Sequence, residues 1–330
     1  MTAANYLTCG VCAQSCRFPD SSDFCGLCRT RHRRGDRIES LVYGRLVAEH
    51  IDPIEKKPLF HVLPGSLTYS IATAGCNFRC AHCQNSGISQ IAGTVSPEKT
   101  GKPRTPAEVV QSALAAGCQS ISYTYVEPTI FLEFALDCCR KAKAVGLGNI
   151  FVSNGFMSAE SARLLTGFLT AINIDLKSFS DDFYRQICGG RLRPVLDNIA
   201  RFHESGVWLE VTTLIIPGLN DSLAEITAMA DFLVALSPDI PWHLSGFHPA
   251  YKLSNLPSTP ARTLTEAREL ALARGLRHVY TGNRPGIAGE NTICPHCHVG
   301  VISRNGYRIG ANRLRGGLCP DCGTAIPGLW

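Results

Sequence analysis

Between residues 66 and 280 the sequence alternates short apolar runs with amphipathic stretches, and this alternation restricts the fold more than any other feature. Apolar runs at 66–73, 120–124, 149–153, 170–175, 207–214, 242–247 and 277–280 read as strands, and the stretches between them as helices. The clearest helix start is Thr105-Pro106-Ala107-Glu108, with Thr as N-cap, Pro at the first helical position and Glu three residues after the cap. That helix is expected to end at Gly117. Further helices are expected at about 130–145, after Ser158, and at 181–187, 194–205, 223–236 and 264–274. Apolar strands joined through helices predict an α/β fold with a parallel sheet covered by helices. Six or seven such units without a glycine-rich dinucleotide fingerprint favour a full or partial β/α barrel. In such barrels the chemistry gathers at the C-terminal ends of the strands.

The flanks have a different composition and predict separate modules. Residues 1–50 form a Cys-rich metal-binding module, 51–285 the barrel, and 286–330 a zinc-ribbon-like module. Sixteen cysteines occur among 330 residues. The N-terminus has no basic region followed by an apolar segment, and no run approaches the roughly 20 apolar residues of a membrane span. The expected location is the cytoplasm, where thiols stay reduced and structural disulfides are disfavoured. Metal sites are the better explanation for cysteines that cluster, as these do in three groups. Cys118, Cys138, Cys139 and Cys188 stand apart and read as small buried hydrophobes. The net charge of +5 is modest. The basic run at 29–34 reads as a solvated turn, so nucleic-acid binding is not indicated.

The second cysteine group, Cys76, Cys80 and Cys83 in GCNFRCAHCQN, follows the first barrel strand directly. Three thiolates at C-x3-C-x2-C can hold three irons of a [4Fe–4S] cube and leave the fourth open for a ligand. A zinc ion completed by His82 is the competing reading. The third group, Cys294-x2-Cys297 and Cys319-x2-Cys322, has the spacing of a zinc ribbon, a closed four-sulfur site. An auxiliary iron–sulfur cluster is the alternative there. The first group, Cys9, Cys12, Cys16, Cys25 and Cys28, offers five sulfurs where four suffice, and spacing does not separate zinc from iron.

The three-cysteine loop resembles that of the radical S-adenosylmethionine (SAM) enzymes, and the resemblance implies a partial (β/α)6-type barrel. In that family the amine and carboxylate of SAM chelate the open iron, and reductive cleavage releases a 5′-deoxyadenosyl radical that abstracts hydrogen. His82 departs from the aromatic residue usual before the last cysteine, near the adenine. By the same resemblance, Thr124-Tyr125-Val126-Glu127-Pro128-Thr129 is similar to a GGE-type motif, so Glu127 would accept from the methionyl ammonium. Asn154 or Ser153 would contact the ribose or carboxylate. Asp175 and Lys177 alternate along a strand and should point the same way, either toward SAM or into a simple ion pair. Thr212, Thr213, His243 and His248 are weaker candidates.

Stretches along nearly the whole chain, among them DPIEKKPL at 52–59, SNGFM at 153–157, LIIPGLND at 214–221 and HLSGFHPAYK at 243–252, resemble the AmmeMemoRadiSam-system radical SAM proteins of the pyruvate formate-lyase activating enzyme-like group. That resemblance implies Cys9, Cys12, Cys16 and Cys25 as the N-terminal ligands, with Cys28 spare. It also implies AMMECR-type and MEMO-type partner proteins, together with an electron donor such as a flavodoxin or ferredoxin. The expected function is reductive cleavage of SAM for hydrogen abstraction from an unidentified substrate. Glycyl-radical activation of a partner protein is the alternative, and a non-catalytic zinc-stabilised scaffold or nucleic-acid binder a third.

Overall fold

The structure, a computed structural model, describes residues 6–20, 24–90, 96–284 and 286–330. Its centre is an eight-stranded sheet. The strands are β1 (Ala48–Pro53), β2 (Leu67–Ala72), β3 (Ser120–Tyr123), β4 (Gly148–Ser153), β5 (Ala171–Asp175), β6 (Trp208–Ile215), β7 (Trp242–Gly246) and β8 (Val279–Gly282), which pair in chain order. From β2 to β8 every pairing is parallel, and β1 runs antiparallel to β2 at the edge. The two edge strands β1 and β8 do not pair, so the barrel is partial. All seven expected strands are present, each within two residues of its expected limits. β1 is the addition. Its AEHIDP has no apolar run to announce it, and the boundary placed between residues 50 and 51 therefore falls inside a strand. The other boundary, at Pro285, lies outside the described residues.

Six helices make the crossovers: α1 (Pro106–Ala115), α2 (Leu132–Ala144), α3 (Ala159–Thr166), α4 (Leu192–Glu204), α5 (Leu223–Leu236) and α6 (Ala261–Ala273). The capping box at α1 forms as expected, with Glu108 N donating to Thr105 Oγ1 (3.3 Å) and Thr105 N to Glu108 Oε2 (2.7 Å). Helix α4 illustrates why these segments are helical. Val195, Ile199 and Phe202 recur at i, i+4 and i+7, and all three are fully buried. Each contributes roughly 1.5–3 kcal/mol by leaving water. The helix expected at 181–187 is one turn, Asp181–Phe183, that widens into a π-helix at Tyr184–Cys188. Between β2 and α1 lie a four-residue helix (Ser86–Ser89) and a two-residue strand (Lys102–Pro103).

Both flanking modules pack on the barrel. N-terminal hairpins pair Tyr6–Thr8 with Arg17–Pro19 and Arg31–Arg34 with Arg37–Ser40. Ala13 N donates to Phe156 O (3.0 Å), just past β4. The C-terminal module is a three-stranded antiparallel sheet of Thr292–Ile293, Gly300–Asn305 and Arg308–Asn312. It meets the segment after β1, where Arg304 Nη2 donates to Phe60 O (2.7 Å) and Leu63 N to Leu329 O (2.7 Å). That segment crosses the barrel interior. Phe60 N and His61 N donate to the buried Glu210 carboxylate (3.0 and 2.8 Å), which also takes Trp208 Nε1 (3.1 Å) and His243 Nε2 (2.6 Å).

Candidate active site and metal centres

The three-cysteine loop leaves the C-terminal end of β2 through Gly75, whose φ of 97° suits glycine. A Cβ at Gly75 would lie 2.4 Å from Thr30 Cγ2 and 2.8 Å from Cys28 O. Gly75→Ala should therefore cost about 2–4 kcal/mol, read by chemical unfolding of the metal-loaded protein. An unchanged midpoint would show that the N-terminal module yields freely at this contact.

Cys76, Cys80 and Cys83 open on one cavity of about 520 Å³, within the size range of small-molecule sites. Glu127, Asn154, Asp175, Lys177, Thr212 and His243 share its wall, the first five from the C-terminal half of a strand or just beyond it and His243 from the start of β7. The expected residues from β3 to β7 therefore converge. Thr213 turns away, taking Trp242 Nε1 (2.9 Å) and donating to Leu176 O (2.8 Å). His248 lies beyond β7, with Nε2 2.9 Å from Asn283 O.

Glu127 is buried and its carboxylate is well supplied with donors. Oε1 accepts from Thr129 N (3.1 Å), the Thr129 hydroxyl and Ser153 Oγ (2.9 Å), and Oε2 from Asn154 N (2.7 Å). Burial pushes its pKa up against these donors. Asn154 Nδ2 donates to Asn77 Oδ1 (2.8 Å), tying the end of β4 to the cysteine loop. Lys177 Nζ and Asp175 Oδ2 are 2.8 Å apart on the same wall. Burial opposes the Lys177 charge, but Asp175 and the nearby thiols of Cys80 and Cys188 more than offset it, so its pKa rises.

Four polar atoms on this wall are buried without a partner among the described residues, Glu55 Oε2, His82 Nδ1, Asn173 Oδ1 and Thr212 Oγ1. Burial, then Lys177, lowers the His82 pKa to about 3, so the ring is neutral. Such atoms are costly unless a bound molecule or water meets them. At the far side, Lys57 is 1% exposed and donates to Asp52 Oδ2 (2.6 Å) over the Tyr125 ring, 4.7 Å from its centroid. Burial lowers the Lys57 pKa to about 8 despite Asp52. No sequence signal separated Lys57 from any surface lysine; burial alone marks it.

Cys188, read from sequence as a buried hydrophobe, lies in a group with Cys80 and His82 whose ligand atoms are all within 4.8 Å of one another. The π-helix places it there, with Arg79 N donating to Cys188 O (2.8 Å). The hydrogen bond with Cys188 is the main reason that the Cys80 pKa is raised, with burial next. Burial raises the Cys76 pKa as well. Among the described residues, Cys76, Cys80 and Cys83 do not form a single-ion group with sulfurs within 4.8 Å. A cubane, larger than one ion, fits such a set.

The C-terminal sulfurs differ. Cys294, Cys297, Cys319 and Cys322 all lie within 4.8 Å, with Cys294–Cys322 and Cys297–Cys319 at 3.6 Å. Zn–S bonds of about 2.3 Å in a tetrahedron bring sulfurs to roughly 3.8 Å apart, so this set fits one ion. In the N-terminal module Cys9, Cys12, Cys16 and Cys28 line one cavity. The backbone of Cys25, the expected fourth ligand, bridges His32. Burial raises the thiol pKa values of Cys9, Cys12 and Cys16, that of Cys12 to about 12, and Cys28 adds to each.

A partial α/β barrel with three thiols after its first parallel strand defines a class, and comparison agrees. Residues 70–233 match the radical SAM superfamily. The chain is 40% identical over 301 residues to the uncharacterized protein MJ0808 of Methanocaldococcus jannaschii, covering 91% of this chain and 88% of that one. It is 24% identical over 191 residues to the pyruvate formate-lyase-activating enzyme of Clostridium pasteurianum, 54% of this chain and 77% of that one. The structure of Streptococcus suis SuiB bound to S-adenosylmethionine shares the fold (TM-score 0.52, 12% identity, 69% of this chain and 52% of that one). The chain belongs to the radical SAM superfamily, whose members are enzymes that use a [4Fe–4S] cluster and SAM. Among the described residues no helix is long and apolar enough to cross a membrane.

Proposed function

We propose that this chain binds a [4Fe–4S] cluster on Cys76, Cys80 and Cys83 and cleaves SAM reductively, for hydrogen abstraction from a substrate held toward Lys57. The observation that carries the reading is the opening of three thiols from one loop onto the same cavity as Lys177, Asp175 and four partnerless buried polar atoms. When bound, the cluster and SAM together supply one electron for C–S cleavage and a 5′-deoxyadenosyl radical. The residues do the rest. Glu127 would accept from the methionyl ammonium, and its donors from Thr129, Ser153 and Asn154 fix its orientation. Asn154 would contact the ribose or carboxylate, and it braces Asn77. Asp175 and Lys177 offer an acceptor and a donor to SAM, and Thr212 Oγ1 a further polar contact. The neutral His82 ring provides a flat face for the adenine.

On the cavity wall, buried Lys57, charged at pH 7 and compensated by Asp52, suits a substrate with an anionic or carbonyl group. AMMECR-type and MEMO-type partners rest on the sequence resemblance, and so does glycyl-radical activation. The test is anaerobic reconstitution with iron and sulfide, followed by SAM and a strong reductant. The expected product is 5′-deoxyadenosine, formed only when both are present. A reconstituted protein that absorbs as an iron–sulfur protein but yields none would sink the reading.

A further inference from the structure

Cys80 belongs to two sets of ligand atoms at once. With Cys76 and Cys83 it opens on the cavity, and with His82 and Cys188 it forms a group whose atoms all lie within 4.8 Å of one another. The two sets differ in kind. Zn–S bonds of about 2.3 Å and Zn–N bonds of about 2.0 Å put tetrahedral ligand atoms roughly 3.5–3.8 Å apart. The second set therefore closes on one ion with an approach of about 1 Å or less per pair. The first is, among the described residues, no such single-ion group.

The fold itself builds the second set. Cys188 ends the π-helix Tyr184–Cys188, and the cysteine loop runs beside it. Arg79 N donates to Cys188 O (2.8 Å) and Ala81 N to Ile187 O (2.9 Å). Those two bonds flank Cys80 in the chain and pin it close enough to Cys188 for the thiols to hydrogen bond. The turn that follows is fixed as well. Gly189 has a φ of 77°, its carbonyl takes Gln14 Nε2 (2.7 Å), and a Cβ at Gly190 would lie 2.3 Å from Phe78 Cε1. Widened helical turns of this kind occur frequently at functional sites.

His82 points independently to an occupant. It is 5% exposed, its ring centroid lies 6.3 Å from that of Phe183, and its Nδ1 is buried without a partner among the described residues. A nitrogen left in that state costs free energy that a bound ion recovers. Two thiolates on a divalent ion leave no net charge. That balance suits a site where Cys188 is fully buried and the nearby Lys177 is already paired with Asp175. Thiolate and imidazole together select zinc over magnesium or calcium. Cys80 and His82 also line the cavity, which gives the ion a path of entry and a water for its fourth position.

We propose that Cys80, His82 and Cys188 bind one zinc ion when the loop holds no cluster, and that zinc and cluster exclude each other because both need Cys80. The exclusion rests on the function proposed above; the zinc site does not. Binding forms two Zn–S bonds and one Zn–N bond and releases the two thiol protons to solvent. Nothing is oxidised or reduced.

The test uses the full chain, stripped of metal anaerobically and titrated with Co²⁺ as a coloured stand-in for zinc, with zinc per chain counted separately by mass spectrometry. Cys188→Ser and His82→Ala should each bind about one ion fewer per chain than wild type. Cys118→Ser removes a buried thiol that belongs to none of the groups and should match wild type. Counts in folded Cys188→Ser and His82→Ala equal to wild type would overturn the site, with folding read by circular dichroism. Zinc-loaded wild type, given iron and sulfide, should release about one zinc per chain as the iron–sulfur absorbance rises, a measurement that needs no variant. Cluster growth without zinc release overturns the exclusion, and so does equal release from Cys188→Ser. Absence of any iron–sulfur absorbance sinks the function proposed above instead, and the cobalt counts still decide the zinc site.

Discussion

Cys76→Ala protein should yield no measurable 5′-deoxyadenosine, a fall of more than about 100-fold, because two thiolates do not retain a cube with one open iron. Cys76 begins the loop directly after Gly75, and its sulfur accepts from Phe78 N (3.5 Å). Cys188 is the structural alternative, since it lies against Cys80 and His82. A cysteine there could replace a lost ligand only if the loop shifted, and Asn77 is held in place by Gln14 and Asn154. The expected signature is therefore loss of activity with fold and zinc content intact, measured by product assay, circular dichroism and zinc analysis. Retained turnover in Cys76→Ala would place the reacting cluster elsewhere in the chain.

Glu210→Gln should be the most destabilising single change at the barrel centre. Its carboxylate is fully buried and meets Phe60 N, His61 N, Trp208 Nε1 and His243 Nε2. Burial works against the charge, but His243 and the other donors more than offset it, holding the pKa at about 2 against an ordinary 4.5. A carboxyl whose folded pKa is depressed stabilises the fold above its unfolded pKa, and the contribution is lost as pH falls toward the folded value. At pH 7 the difference is on the order of 3 kcal/mol. The amide keeps the shape but has fewer acceptor sites and adds two donors. The apparent Tm of Glu210→Gln should fall by roughly 5 °C or more at pH 7, and the gap to wild type should narrow below about pH 4.5. A gap of constant size from pH 7 to pH 3 would show that packing, not charge, is what Glu210 contributes.

The sequence was most legible where one segment carries its own signal. Strand β5 reads as buried because Ala171, Ile172 and Ile174 are apolar on both faces, and α1 because Thr105 and Glu108 cap it locally. Strand β1 was missed because its partner, not its composition, makes it a strand. Cys188 is the buried core residue its segment announced, but its neighbours were not legible. A cysteine in a periodic segment looks like core, and only the π-helix between Tyr184 and Cys188 turns it toward Cys80.

What the sequence by itself determined was the alternation that builds a partial barrel, the three-cysteine loop at the end of its first strand, and the paired C-x2-C knuckles. All three depend on residues close together in the chain, where spacing fixes which side chains share a face or a loop. Only the tertiary structure decided that Cys28 shares one wall with Cys9, Cys12 and Cys16, that Lys57 is a buried cation, and that Glu210 gathers donors from residues up to 150 positions away. Those outcomes follow from turn direction and burial, which are set by packing between segments distant in sequence and leave no local mark.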